Sequence, residues 1–317
     1  MNYSRILAPT LLAFLFLFSG CAGREYFADK NATPLKGLSS VLVKSDNDKQ
    51  SQALFEDKNY FVFVSFKGFE LVAKDSQKTL SFASSIIVSA HIYDGKVAVL
   101  TRGNELLLYR IADQELLFSH KEKVASVMSA KTAQIQESES QLFVPFLNAK
   151  IAVFDKKKQL INKFFTLADG SLTSNIISLT THKNKLIGHT KERLFIIRNG
   201  QLISKPLDTI KDIALTSEHI IVASHIGDIV AFNYNLVTQK KLSFKYANFT
   251  HLVHTNDTLF ATTKNGYLLQ LNSALEKQNI YFSSLLKTAK VTTANDTLYL
   301  GNYQIDLAKL ANTNTQK

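Results

Sequence analysis

From about residue 57 the chain repeats one phrase: a polar turn, an apolar run, a second polar turn, another run, a third turn and a third run. It is clearest where residues 257–263 and 267–272 flank Asn265-Gly266, with a further run at 278–282. Asn-Gly between two alternating runs predicts a β-hairpin, because both residues tolerate positive φ. The phrase recurs as 95–101 with 105–110 and 115–119, and as 141–146 with 150–155 and 160–165. Shorter statements pair 60–64 with 70–73, 185–188 with 193–198, 219–223 with 228–233, and 296–300 with 303–306.

The first apolar residues of the leading runs are Tyr60, Val97, Leu142, Leu186, Ile220, Leu259 and Leu298, spaced 34 to 45 residues apart. Repeats of roughly 40 residues built from four strands have the period of propeller blades. Helical repeats would show apolar positions at i, i+3 and i+4, whereas here Gly or Asn turns interrupt the chain every few residues. The pattern therefore predicts an all-β fold, a β-propeller of seven blades, each with four antiparallel strands. The last unit supplies at most three strands, while the apolar segment 38–44 lies upstream of the first marker without a unit of its own. It is expected to complete the last blade or to open blade one, so that no sheet edge is left free.

Composition supports strands and narrows the chemistry. The chain has 22 Phe and 11 Tyr but no Trp, and a single cysteine, Cys21. Without a second cysteine no disulfide or multi-thiolate metal site can form. Ahead of Cys21 stands Arg5, then an apolar stretch over 6–18, then Ser19-Gly20. This is the order of an export signal, and about 13 apolar residues fall short of the roughly 20 needed to span a bilayer. The segment resembles the lipobox of bacterial lipoproteins, which implies cleavage before Cys21 and acylation of its thiol. Phe18 stands where that family usually has Leu. Ala22, rather than Asp, follows the cysteine, which favours the outer over the inner membrane. The organisation expected is a signal peptide at 1–20, a lipidated tether at 21–35, the propeller at 36–310 and a polar tail at 311–317.

The net charge is +11, but the basic residues are scattered. Behind an export signal, anionic lipid headgroups, lipopolysaccharide or an acidic protein face is the expected partner, and nucleic acid is not. The tightest basic runs, Lys156-Lys157-Lys158 and Lys240-Lys241, are expected at turns. Runs such as 151–155 followed by Gln159 are similar to the third and fourth strands of WD40 and quinoprotein-type (PQQ-like) propeller blades. The Trp-Asp dipeptide of WD40 repeats is absent, so the resemblance is one of architecture. Together with the anchor it is nearest to the BamB-like lipoproteins of outer-membrane β-barrel assembly, which implies a non-catalytic scaffold. The expectation is a monomer within a larger complex on the periplasmic face of the envelope, bound to envelope protein partners. The alternatives are an accessory or maturation protein for a periplasmic redox enzyme, and an enzyme or ligand-binding propeller with its site in the central channel.

No catalytic, cofactor-binding or metal-binding residue and no cofactor is expected. There is no Gly-x-Ser-x-Gly elbow, no phosphate loop and no dinucleotide fingerprint. His251 and His254 lie three apart in an expected strand, so alternation sends them to opposite faces. His91, His182 and His254 fall near turns and are expected in solvated loops. Two polar segments, 45–52 and 131–140, are expected as surface loops, with recognition as their functional reading.

Overall fold

The computed structural model describes residues 27–40, 53–123, 132–167, 175–289, 291–294, 296–301 and 303–312. Cys21, the whole 45–52 segment and residues 313–317 of the expected 311–317 tail lie outside the described residues. The described chain forms seven sheets in sequence order. Blade one comprises Phe55–Glu56, Tyr60–Ser65, Gly68–Ala73 and Thr79–Ala83. Blade two comprises Ile87–Tyr93, Lys96–Thr101, Glu105–Arg110 and Leu116–Lys121. Blade three comprises Gln136–Glu137, Gln141–Pro145, Lys150–Asp155 and Leu160–Thr166. Blade four comprises Ser178–His182, Lys185–His189, Arg193–Arg198 and Gln201–Pro206. Blade five comprises Ile210–Leu215, His219–Ser224, Asp228–Asn233 and Thr238–Ser243. Blade six comprises Phe249–Thr255, Thr258–Thr263, Tyr267–Asn272 and Lys277–Phe282. Blade seven comprises Val291–Ala294, Thr297–Leu300 and Tyr303–Asp306. Two short helices, α1 (Ser284–Thr288) and α2 (Leu307–Asn312), flank the last blade.

Within a blade each strand pairs antiparallel with the next, and first strands of neighbouring blades touch, as in blades five and six. In blades two to six the second and third strands are buried almost throughout, because a blade lies against each of their faces. Alternation then sends successive side chains to opposite neighbours. Val97 and Val99 pack with Val62 and Leu71 of blade one. Ala98 and Leu100 pack with Leu142 and Val144 of blade three. The same division recurs down the chain, giving six apolar cores from the blade one/two junction to the blade six/seven junction. The continuous apolar runs of the sequence are therefore strands sandwiched between two blades.

The fourth strands are largely exposed and polar. Lys240 and Lys241 lie within the outermost strand of blade five rather than in a turn. Lysines on an outward edge keep further strands from adding to it. Lys156, Lys157 and Lys158 do occupy a turn, between the third and fourth strands of blade three.

Closure comes from the N-terminal segment. Ser39–Ser40 pairs antiparallel with Tyr303–Asp306 and makes the fourth strand of blade seven. Upstream, Thr33–Pro34 pairs parallel with the outermost strand of blade six, as a fifth strand there. The Leu35 amide donates to the Phe282 carbonyl at 2.9 Å, and the Leu35 side chain is buried between blades six and seven. Phe27 sits edge-on to Phe244 and Tyr267, with ring centroids 6.1 and 5.2 Å away, and Asp29 bonds Lys277 at 2.7 Å. Residues 27–35, within the tether expected at 21–35, are laid against blade six.

The 131–140 segment is not the surface loop its polarity suggests. Beyond Lys131, which is not described, it leads into the innermost strand of blade three, and Ile135 is 1% exposed. Gln134 ties three blades together. Its Oε1 accepts from Ser89 Oγ and the Ala90 amide, both at 3.2 Å, and its Nε2 donates to the Leu54 carbonyl at 3.1 Å. Ser89 Oγ in turn accepts from the Ile135 amide at 2.8 Å. Replacing Gln134 by Leu leaves the Ala90 amide and the Leu54 carbonyl without these partners, a cost of about 2–4 kcal/mol. Calorimetry on Gln134→Leu is expected to show a melting temperature roughly 5–10 °C lower. An unchanged melting temperature would show that these bonds do not hold the three blades together.

Candidate interaction surfaces

Antiparallel blades sort their turns onto two faces of the disc. Turns joining first to second and third to fourth strands open on one face, here called the cleft face. Turns joining second to third strands, and the connections between blades, open on the other, the connection face.

The cleft face holds two depressions of about 570 Å³ each. One lies between blades three and four and is lined by Glu137, Phe143, Lys163, Phe165, His182 and Arg198, among others. The second lies between blades one and two, where Asp57, Tyr60, Tyr93 and Asp94 line it, and Glu137 borders this one too. Glu137 reaches this position because it ends the short inner strand of blade three.

Its carboxylate is held from both sides. Oε2 lies 2.9 Å from His91 Nε2 and Oε1 lies 2.6 Å from Lys156 Nζ. Burial opposes ionisation of Glu137, but these bonds outweigh it and hold the carboxyl below its usual range. Tyr93 stands beside it with Lys96 and Lys156 each 5.6 Å from its ring centre. Burial, and then the charges of Asp94 and Glu137, push the Tyr93 hydroxyl well above its usual pKa. In the other cleft His182 stacks on Tyr234 at 5.7 Å and 11°. Burial, and then Lys183 and Lys185, lower its pKa and favour the neutral ring. The clefts therefore combine aromatic surface with fixed charges of both signs, which suits an extended peptide segment.

His91, His182 and His254, expected in loops, are not there. His91, His182, His251 and His254 all lie on innermost strands and are partly buried. His251 faces Thr262 across the ladder and His254 faces Leu259, three residues along the strand. Among the described residues no three His, Cys, Asp or Glu side chains gather as a metal site would require. Glu137 falls within the 131–140 segment read as a recognition loop, but sequence reasoning did not single it out, and the signal for its inner strand was slight: a lone Ile135 within a run of polar residues.

The connection face is built differently. Thr101, Ser224 and Thr263 end the second strands of blades two, five and six, and each accepts the amide four residues on, at 3.0–3.2 Å. The residue just before that amide has positive φ in all three turns: Asn104, Gly227 and Gly266. Asn104 is fully buried, and its Oδ1 accepts the Leu147 amide of blade three at 2.7 Å. None of the described helices is long and apolar enough to cross a membrane.

No family model matches the chain. Among curated proteins it is similar to the plasminogen-binding protein PgbB of Helicobacter pylori. Against strain J99 the identity is 21% over 211 residues, covering 66% of this chain and 39% of that protein. Against strain 26695 it is 20% over 359 residues, covering 90% of this chain and 66% of that one. The chain thus spans from about two fifths to about two thirds of these relatives. Among solved structures, BamB from Moraxella catarrhalis superposes with a TM-score of 0.65 at 16% identity, covering 78% of this chain and 80% of that one. The C-terminal WD40 domain of Sif2 gives 0.59 at 12% identity, covering 78% and 77%. At these identities the likeness is one of fold. The chain is a β-propeller, and in fold a distantly BamB-like one.

Proposed function

We propose that this chain is a lipid-anchored propeller on the periplasmic face of the envelope, working as a non-catalytic scaffold that binds other proteins. The observation that carries this reading is the cleft face. Two depressions at blade junctions, lined by aromatic rings and fixed charges, are offered by a ring whose strands are locked in place. Rigid presentation of this kind lowers the entropy lost on binding. The BamB-like fold supports an envelope partner and, more finely, a role in outer-membrane protein assembly.

Cys21→Ser tests the anchor. The variant is expected to lose its acyl groups and to move from the membrane to the soluble periplasmic fraction. A variant that stays with the membrane ends the lipoprotein reading. Crosslinking of the anchored protein in cells, followed by mass spectrometry, tests the partner. Recovery of β-barrel assembly subunits supports the assembly role, and recovery of respiratory subunits instead overturns it.

A second reading has its own support, in the similarity to plasminogen-binding proteins of Helicobacter pylori. If the partner is plasminogen, immobilised protein should retain purified plasminogen, and the propeller must be reachable from outside the cell. Protease added to intact cells then cleaves it. A chain that binds no plasminogen and resists external protease leaves the assembly reading alone.

A further inference from the structure

We infer that the connection face at blades five and six rests on an anionic lipid surface, with Lys245, Lys264 and Lys287 at headgroup level and Tyr246 among them. The inference rests on the reading of Cys21 as the acylated residue and adds which side of the disc faces the membrane.

Three observations converge on this patch. The first is reach. Five residues separate Cys21 from Phe27, and a fully extended chain covers at most about 3.3–3.6 Å per residue, so an acylated Cys21 lies within roughly 20 Å of Phe27. Phe27 is fixed to the connection face: its amide donates to the Tyr246 carbonyl at 3.4 Å, and its ring packs on Tyr267. Gly266, next to Tyr267, lies against the base of Lys287, and the Lys264 amide bonds the Asn248 carbonyl at 2.8 Å. All three lysines therefore surround the point where the chain leaves for Cys21.

The second observation is charge. On this face the described turns and connections over 225–227, 244–248, 264–266 and 283–289 carry these three exposed lysines and no carboxylate. The turns of the cleft face carry Asp57, Asp94, Glu139, Glu218 and Asp257 alongside Lys156, Lys157, Lys158 and Lys183. An anionic surface attracts the uniformly basic patch more than a face of mixed charge. The third is apolar exposure. Tyr246 is 44% exposed and Ile226 58%, both on the connection face, and a tyrosine beside lysines is the side-chain set that settles at a bilayer interface. Lys245 lies over the Tyr246 ring, 4.7 Å from its centre, so cation and ring would enter the headgroup region together.

The test uses the acylated protein in vesicles of phosphatidylethanolamine and phosphatidylglycerol. Because Cys21 is the only native cysteine, a second one provides a unique thiol for a dye once Cys21 is acylated. Tyr246→Cys places the dye on the connection face and Ser273→Cys places it on the cleft face of the neighbouring blade. Lipids bearing headgroup spin labels are expected to quench the dye at 246 severalfold more than the dye at 273. Lys264→Cys serves as the second position should Tyr246→Cys fail to fold. Charge reversal of all three lysines to Glu, or replacement of phosphatidylglycerol by phosphatidylcholine, should bring the two positions together. Each lysine near an anionic surface favours contact by roughly fivefold. Equal quenching at 246 and 273 in the acylated protein overturns the orientation while leaving the anchor intact. Absence of acyl mass on the Cys21 peptide overturns the anchor and, with it, this inference.

Discussion

A chain that starts at Val41 is expected to melt roughly 10 °C below the full protein and to aggregate on heating. The truncation removes the fifth strand of blade six and the fourth strand of blade seven together. It strips Leu35, 8% exposed, from the junction of those blades, and Phe27 from between Phe244 and Tyr267. Burial of these two side chains is worth about 3–4 kcal/mol, and a loss of that size in a chain of this length lowers the melting temperature by roughly 10 °C. The strand Tyr303–Asp306 is left as an open edge, a template for other chains. A synthetic peptide covering 27–44 should restore the melting temperature in proportion to its concentration, since it binds only the folded disc. A truncated chain that melts within about 2 °C of the full one would show that the ring is held by its inter-blade cores alone.

The second large effect is expected at Gly227. It opens the third strand of blade five with φ of +94°, and a Cβ there would stand 2.2 Å from the Phe244 carbonyl oxygen. The clash is with backbone, so the connection from blade five to blade six must move for the variant to fold. Gly227→Ala should cost on the order of 3–5 kcal/mol, the range of severe backbone disruption. Gly95 is the control: φ is +67° and nothing lies within 4 Å of its Cβ position. Gly95→Ala should cost only about 1 kcal/mol, that of a left-handed conformation without glycine. Denaturant titration of both variants separates a shared backbone preference from the close approach peculiar to Gly227. Equal midpoints for the two would refute the packing argument. Because Phe244 also carries Phe27, Gly227→Ala should in addition make the N-terminal segment more open to protease.

How much of this was legible in the sequence follows from where each strand sits. All seven repeat markers, from Tyr60 to Leu298, lie in the second strand of a sheet. That strand is covered by a blade on each side, so its apolar run is unbroken and stands out. Innermost strands were the hard ones. Ser178–His182 and Gln136–Glu137 need apolar residues only where they meet the next blade, and their polar remainder reads as loop. Outermost strands were legible where apolar residues remain, as at 115–119, 160–165 and 278–282, but Thr238–Ser243 is lysine-bearing and exposed, so Lys240-Lys241 looked like a turn. His91 and His182 were misplaced together with the inner strands that carry them, whereas the strand expected for His251 and His254 is present. Glu137 could not be found as a cleft residue, since its ion pairs join residues 46 and 19 positions away. Gln134 was hidden in the same way, its partner Leu54 being 80 residues distant.

The path of the N-terminal segment has a mechanical consequence. A pull on the chain at Phe27, away from the disc, does not reach the closing strand first. It is taken up by the Phe27 ring wedged between Phe244 and Tyr267, then by the Asp29–Lys277 ion pair, then by the parallel pairing at Thr33–Pro34. Only after these have given way would tension arrive at Ser39–Ser40, whose loss would open the ring. Blade six thus works as a strain relief, in the way a cable is clamped to a housing before it meets its terminal.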